Sequence, residues 1–242
     1  MNLLLFDVDG TLAKSTLQIT KEMETMLKET SKKEDYEMCI VGGGNYNHII
    51  HQIGKENEKL FTYIFSENGL VTYKNGELFH KNDIKETLGE KLIQRVINNI
   101  LRYIANLELP YKRGSFIIFR TGMIYITPIG SNCSKEERAH FVEYDAIHNV
   151  RAKMIKDLLN EFKDENIDVK MGGAIGVGLH PKKWDKSYIL DLKDITKYKS
   201  VRFYGDRCAD ESGNDWPLFN HKDIDGYYVK SPEHTLSLLK KL

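Results

Sequence analysis

The sequence predicts an α/β protein: a Rossmann-like parallel-sheet core, residues 1–81 and 185–242, interrupted by an inserted α+β unit, residues 82–184. Three observations predict it. The apolar run Leu3–Phe6 has the length of a buried parallel strand and ends abruptly in Asp7-Val8-Asp9-Gly10-Thr11. Strand and helix patterns alternate before residue 82 and again after residue 185, as a parallel sheet requires. Between them, long helical periodicities and alternating hairpin patterns describe helices laid on an antiparallel sheet.

The chain has 242 residues, of which 41% are hydrophobic and 29% charged, the balance of a globular protein. Lys+Arg and Asp+Glu are both 35, so the formal net charge is zero and no overall field draws nucleic acid or an anionic membrane. Neither partner is expected. Cys39, Cys133 and Cys208 have no zinc or disulfide spacing, which reads as free thiols in a reducing compartment. No apolar stretch reaches about 18 residues, so no signal peptide or transmembrane helix is expected, and the default location is cytoplasmic.

After the first strand, Ile19–Thr30 reads as a helix with Thr20 as N-cap. Tyr36–Val41 is a second strand, and Gly42-Gly43-Gly44-Asn45 leads into a helix over Tyr46–Ile53. Such a turn either lets backbone N–H groups approach an anion or simply permits tight geometry. Leu60–Phe65 is a third strand, and Lys74-Asn75-Gly76 turns a hairpin. In the insertion, apolar residues from Ile84 to Ile104 predict one helix of more than 20 residues. Ser115–Phe119 and Met123–Thr127 form a hairpin, and Ser134-Lys135-Glu136-Glu137 has the capping-box pattern that opens a long helix toward Phe162. Ile167–Met171 and Ala174–Leu179 are strands. A helix follows over Lys186–Leu192, then a strand Ser200–Tyr204, a short helix after Gly213-Asn214-Asp215, a strand Gly226–Val229 and a terminal helix Glu233–Lys241.

Two carboxylates at the end of an apolar strand are costly unless a cation sits between them, and strand ends are where α/β sheets bind ligands. The string DVDGT resembles the nucleophile motif of the haloacid dehalogenase (HAD) superfamily. That resemblance implies that Asp7 attacks a phosphoryl group and that Asp9 is the general acid/base. The chemistry suits the residues: a carboxylate attacks phosphorus if a metal neutralises the approach of two anions, and a second carboxyl on the same face moves the proton. A second acidic strand end, Gly205-Asp206, completes the set. Asp7, the backbone carbonyl of Asp9, and Asp206 offer oxygen ligands to Mg²⁺, Asp215 orients the metal's water or Lys186, and Lys186 neutralises the nucleophile.

Nearly the whole chain is similar to the eukaryotic-type phosphomannomutase family. The matching stretches are FDVDGTL, ENGLV, LGEKLIQ, KRGSFIIFRTGM, TPIG, CSKEER, Gly172-Gly173, HPKKWDK, GD and GND. The resemblance makes the insertion a cap domain, and implies interconversion of mannose 6-phosphate and mannose 1-phosphate through an aspartyl-phosphate and a sugar bisphosphate, which also serves as activator. It further implies a cytosolic enzyme, homodimeric through its caps, that feeds GDP-mannose synthesis. Arg120, Met123 and Arg138 match substrate-binding positions, arginine's planar fork suiting a phosphate. Gly43, Gly44, Asn45, Gly176 and Gly178 occupy the remaining substrate-binding positions. Departures cluster there: Thr16 and Ser131 stand where arginines are expected, Gly44 and Gly176 where serines are, Gly178 where an aspartate is, and His221 where a side ion site has an aspartate. Each lost charge-assisted contact is worth roughly 1.5–3 kcal/mol. Three readings stay open: an active mutase, a phosphatase on a sugar phosphate or related small phosphomonoester, and a non-enzymatic descendant, against which the complete acidic set counts.

Overall fold

The computed structural model describes residues 1–211 and 213–242. They form two compact units, Met1–Lys81 with Trp184–Leu242, and Asn82–Lys183.

The first unit begins with β1 (Asn2–Phe6), α1 (Lys21–Ser31), β2 (Tyr36–Val41), α2 (Tyr46–Ile53), β3 (Tyr63–Ser66), β4 (Val71–Lys74) and β5 (Glu77–Lys81). Alternation along β1 decides its layers. Leu4 and Phe6 enter one apolar cluster with Met23 and Leu27 of α1 and Ile49 and Ile53 of α2. Leu3 and Leu5 enter another with Val41, Phe65 and Phe203. A strand buried on both faces reads as an unbroken apolar run because neither face meets water. Thr20 caps α1 by accepting from Met23 N at 3.2 Å.

The inserted unit carries α3 (Ile84–Leu88), α4 (Glu90–Asn106), β6 (Ile117–Phe119), β7 (Ile124–Ile126), α5 (Lys135–His148), α6 (Val150–Glu161), β8 (Asp168–Gly172) and β9 (Gly176–His180). Its antiparallel sheet runs β6-β7-β9-β8. Ile93, Val96, Ile100 and Ile104 are the buried stripe of α4. Both long helices expected here are broken. Gly89, at φ 75°, ends α3 and starts α4 in a conformation that glycine adopts without strain. Asn149, in the left-handed region at φ 54°, separates α5 from α6. Asp145 stitches that break by accepting from Arg151 N at 2.9 Å and Arg151 Nε at 2.7 Å.

The chain returns through a short 3₁₀ turn at Lys186–Tyr188 to α7 (Ile189–Leu192), β10 (Val201–Gly205), α8 (Trp216–Phe219), β11 (Asp225–Tyr228) and α9 (Pro232–Leu239). The seven strands of the first unit are ordered β11-β10-β1-β2-β3-β4-β5. β11, β10, β1, β2 and β3 are parallel, while the β4–β5 hairpin adds antiparallel edges, so the sheet is mixed. The third strand starts later than expected, because Lys55–Leu60 is a 3₁₀ turn.

Candidate active site

Parallel pairing places the acidic groups. Phe6 lies opposite Tyr204, and Asp7 N donates to Tyr204 O at 2.9 Å, so Asp7 and Asp206 leave the C-terminal ends of adjacent strands. Asp215, after the loop that follows β10, returns beside them. One carboxylate oxygen from each of Asp7, Asp206 and Asp215 lies within 4.8 Å of the others. Lys186 is fully buried and its Nζ donates to Asp7 Oδ1 and Asp215 Oδ1. Asp215 also accepts from Arg207 N at 3.0 Å through Oδ2, so both of its oxygens are held.

Glycine makes this packing feasible at two points. Gly10 sits at φ +82°, and a Cβ there would stand 2.7 Å from Asp206 Cγ. At Gly205 a Cβ would meet Asp215 Oδ2 at 2.7 Å. No other residue type fits either position without moving a carboxylate.

Three carboxylates cluster and one ammonium pairs with two of them, an excess of two negative charges in a largely buried cluster. Burial pushes the Asp7 carboxyl up to about 7; Lys186 opposes this, and Asp215 and Asp206 reinforce it. Burial, with Asp215 beside it, pushes Asp206 up to about 6. Burial disfavours the charge on Lys186, but Asp215 and Asp7 outweigh it and hold that group above the ordinary lysine value. A hard divalent ion with oxygen ligands fits this donor set and this charge excess.

Asp9 is half-buried and points elsewhere. Its Oδ1 accepts from Thr16 N at 3.0 Å and from Gln52 Nε2 at 2.9 Å. Gln52 is fully buried on α2. No pattern in the sequence marks this residue: a lone glutamine on a helix becomes visible only when its carboxamide is seen beside Asp9. Thr16, at φ 65°, contributes its backbone N–H rather than its side chain.

The glycine turn after β2 is tied to residues after β3, since Asn68 N donates to Gly42 O and Glu67 N to Gly44 O, both at 2.9 Å. A Cβ on Gly43 would touch Asn68 Oδ1 at 3.6 Å and Asn214 Nδ2 at 3.8 Å, so two amides flank this glycine. Among the described residues, Asn68 Oδ1 and Asn214 Oδ1 are buried without a hydrogen-bond partner. Asn45 caps α2, its Oδ1 accepting from His48 N at 2.9 Å. His221 Nδ1 accepts from Asp223 N at 3.3 Å.

In the inserted unit, Arg120 lies with its guanidinium carbon 4.8 Å from the centre of the Tyr125 ring. Arg138 is exposed on α5, and among the described residues its side chain has no ion pair. Met123 is buried. Gly176 and Gly178, expected as substrate-binding positions, are both buried: Tyr125 fills the space a side chain would need at 176, and a Cβ at 178 would meet Met123 Sδ at 3.4 Å. Ser131 donates to Ser115 O at 3.1 Å, joining the segment that enters β6 to the one that leaves β7, at the end of the hairpin away from its turn.

A mixed sheet with acidic groups gathered beyond adjacent parallel strands, interrupted by a separate antiparallel sheet, defines a protein of the haloacid dehalogenase fold. Solved structures agree. An IMP-bound IMP-nucleotidase from Plasmodium falciparum superposes with TM-score 0.65 at 18% identity, over 99% of this chain and 67% of that one. A haloacid dehalogenase-like hydrolase from Bacteroides thetaiotaomicron gives TM-score 0.61 at 14% identity, over 99% and 98%. Sequence comparison then narrows the class. Phosphomannomutase 2 of Dictyostelium discoideum is 42% identical over 236 residues, 97% of this chain and 94% of that protein. A phosphomannomutase of Dendrobium officinale is 40% identical over 98% and 92%. The sequence profile of eukaryotic phosphomannomutase matches residues 23–242, and the chain belongs to that family.

Proposed function

We propose that the protein interconverts mannose 6-phosphate and mannose 1-phosphate by passing a phosphoryl group between Asp7 and the sugar. Family membership supports the reaction, and the observation that carries the mechanism is the buried Asp7–Lys186–Asp215 array with its excess negative charge.

Each group then has a task. Lys186 holds Asp7 Oδ1 in place and lowers the repulsion an incoming phosphate meets. An Asp7 oxygen attacks phosphorus; the new O–P bond forms as the bond to the sugar oxygen breaks. Asp9 delivers a proton to the leaving oxygen and later removes one from the hydroxyl that takes the phosphoryl group back. Two donors on Oδ1, from Thr16 and Gln52, leave Oδ2 for the proton. Asp7, Asp206 and the Asp9 backbone carbonyl are the proposed Mg²⁺ ligands, with Asp215 setting Lys186. The ion would neutralise the two anions as they approach. Arg120 and Arg138 of the inserted unit, proposed as a cap domain, bind the phosphate that does not react.

This reading includes a sugar bisphosphate activator, a cytoplasmic enzyme supplying GDP-mannose synthesis, and a homodimer through the inserted unit, where Leu101, Val142 and Ile147 are exposed. A specific observation favours a second product: Gly176, Gly178 and Ser131 offer no charged group to hold a bisphosphate. An intermediate that escapes leaves Asp7-phosphate to water, which makes the protein a phosphatase. Mannose 1-phosphate with Mg²⁺ and a hexose bisphosphate primer is expected to yield mannose 6-phosphate faster than free phosphate. Free phosphate as the main product overturns the mutase in favour of the phosphatase, and light scattering on the same preparation reads the dimer.

The raised carboxyls give the Mg²⁺ proposal a pH signature. Between the ordinary 3.8 and about 7 for Asp7, or about 6 for Asp206, the folded protein keeps protons that the unfolded chain has released. The folded state binds more protons there, so stability without a cation falls as pH rises through that window. A cation must displace those protons at low pH and meets bare carboxylates at high pH. Mg²⁺ at about 100 times its dissociation constant is expected to add ~2.7 kcal/mol near pH 8, a melting shift of about 5–10 °C. Less than about half of that shift is expected near pH 5. Equal shifts at both pH values in scanning fluorimetry would remove these carboxylates as the ligands.

A further inference from the structure

The face of the inserted sheet that carries Arg120 has an unusual construction. Tyr125 on β7 lies opposite Gly178 on β9, which lies opposite Lys170 on β8. One step along, Gly176 faces Gly172. Glycines in neighbouring positions on two paired strands leave a floor without side chains, normally a weakness in a sheet. Tyr125 covers it. Its hydroxyl donates to Gly172 O at 2.9 Å. A Cβ at Gly172 would stand 2.8 Å from Tyr125 Cε2, and one at Gly176 would stand 2.6 Å from the Tyr125 oxygen. A Cβ at Gly173 would come 3.1 Å from the same oxygen. The ring and the glycines therefore fit only as a set. On the ring sits the Arg120 guanidinium, and Arg120 N donates to Met123 O at 2.9 Å, so both ends of that arginine are fixed.

We infer that Tyr125 is a positioning residue for sugar-phosphate recognition in this protein: packed on the glycine positions of β8 and β9, its ring aims the Arg120 guanidinium by stacking. The inference rests on the sugar-phosphate reading above. Its chemistry follows from the ring. An arginine left alone at a surface samples many rotamers, whereas one stacked on an aromatic face presents its fork in one plane.

The test compares wild type with Tyr125→Phe and Tyr125→Leu, using mannose 1-phosphate and glucose 1-phosphate with Mg²⁺ and a hexose bisphosphate primer. Tyr125→Leu keeps much of the bulk and loses the stacking. It is expected to raise KM for both sugars about 5- to 30-fold, the range of a desolvated cation–π contact, with kcat changed less than about 3-fold. Tyr125→Phe keeps the ring and is expected to stay within about 3-fold of wild type in KM. The Arg120 Nε–H resonance, shifted upfield by the ring in wild type and Tyr125→Phe, is expected to lose that shift in Tyr125→Leu. Unchanged KM in a folded Tyr125→Leu protein overturns the inference and leaves the mutase reading intact. A wild type that hydrolyses an aryl phosphate yet turns over neither sugar overturns the sugar-phosphate reading and the inference with it.

Discussion

Asp7→Asn is expected to abolish both mutase and phosphatase turnover, by at least about 10⁴-fold, while leaving the fold intact. A carboxamide oxygen is a poor nucleophile and cannot carry the negative charge that makes an acyl phosphate accessible. The side chain keeps its shape, and its oxygen still accepts from Lys186. Stability separates a chemical effect from a folding one. Burial raises the Asp7 carboxyl to about 7, so that carboxylate costs the folded state free energy near neutral pH. Removing its charge relieves that cost, and the melting temperature without Mg²⁺ is expected to stay the same or rise. The Mg²⁺-dependent shift is expected to shrink, because one of its proposed ligands is gone. Residual turnover within about 10-fold of wild type would take the nucleophile's role away from Asp7.

Lys186→Met is expected to cause the largest loss of stability of any single change near the site. Lys186 is the one ammonium paired with the acidic cluster among the described residues, through Asp7 and Asp215, and its methylene stem is enclosed. Methionine fills a similar volume and brings no charge, so the variant isolates electrostatics from packing. Removing one partner of a buried ion cluster typically costs ~3–5 kcal/mol, because the remaining charges stay desolvated and unpaired. In a chain of this size that corresponds to a fall of about 6–20 °C. The sign of the pH dependence follows from the same charges. With Lys186 gone, Asp7 and Asp206 hold their protons to higher pH in the folded state, and the unfolded chain does not. The deficit is expected to grow as pH rises and to narrow near pH 5, where protonation removes the repulsion. Urea unfolding at two pH values measures both. A variant as stable as wild type near pH 8 would mean that the cluster does not need its ammonium.

The parts of this protein that were legible in the sequence are those whose chemistry is local. Asp7 follows four apolar residues directly, and a strand that ends in acid announces a site without any knowledge of the rest. Gly205-Asp206 has the same form, and the structure brings the two strand ends together by parallel pairing. Illegible features depend on partners distant in the chain. The apolar period of α3 and α4 runs on across Gly89, and that of α5 and α6 across Asn149, so periodicity alone joins helices that the backbone separates. Gln52 reaches Asp9 from 43 residues away. Tyr125 is an ordinary alternating strand residue until β9 is laid beside it with glycines in the facing positions. At Gly176 an absent side chain was visible in the sequence, and the Tyr125 ring that fills its place was not.

The order of strands in the larger sheet bears on how the protein is made. β1 is central, with β2 on one side and β10 on the other. The first neighbour follows within about forty residues of sequence, and the second is the segment Val201–Gly205. During synthesis, Leu3–Phe6 therefore waits with one row of backbone hydrogen-bonding groups unmatched until the entire insertion has emerged. The same wait applies to Asp7, whose ammonium partner is 179 positions further on. The nascent amino-terminal half is thus both sticky along an open edge and chemically incomplete, and the last sixty residues close both defects together.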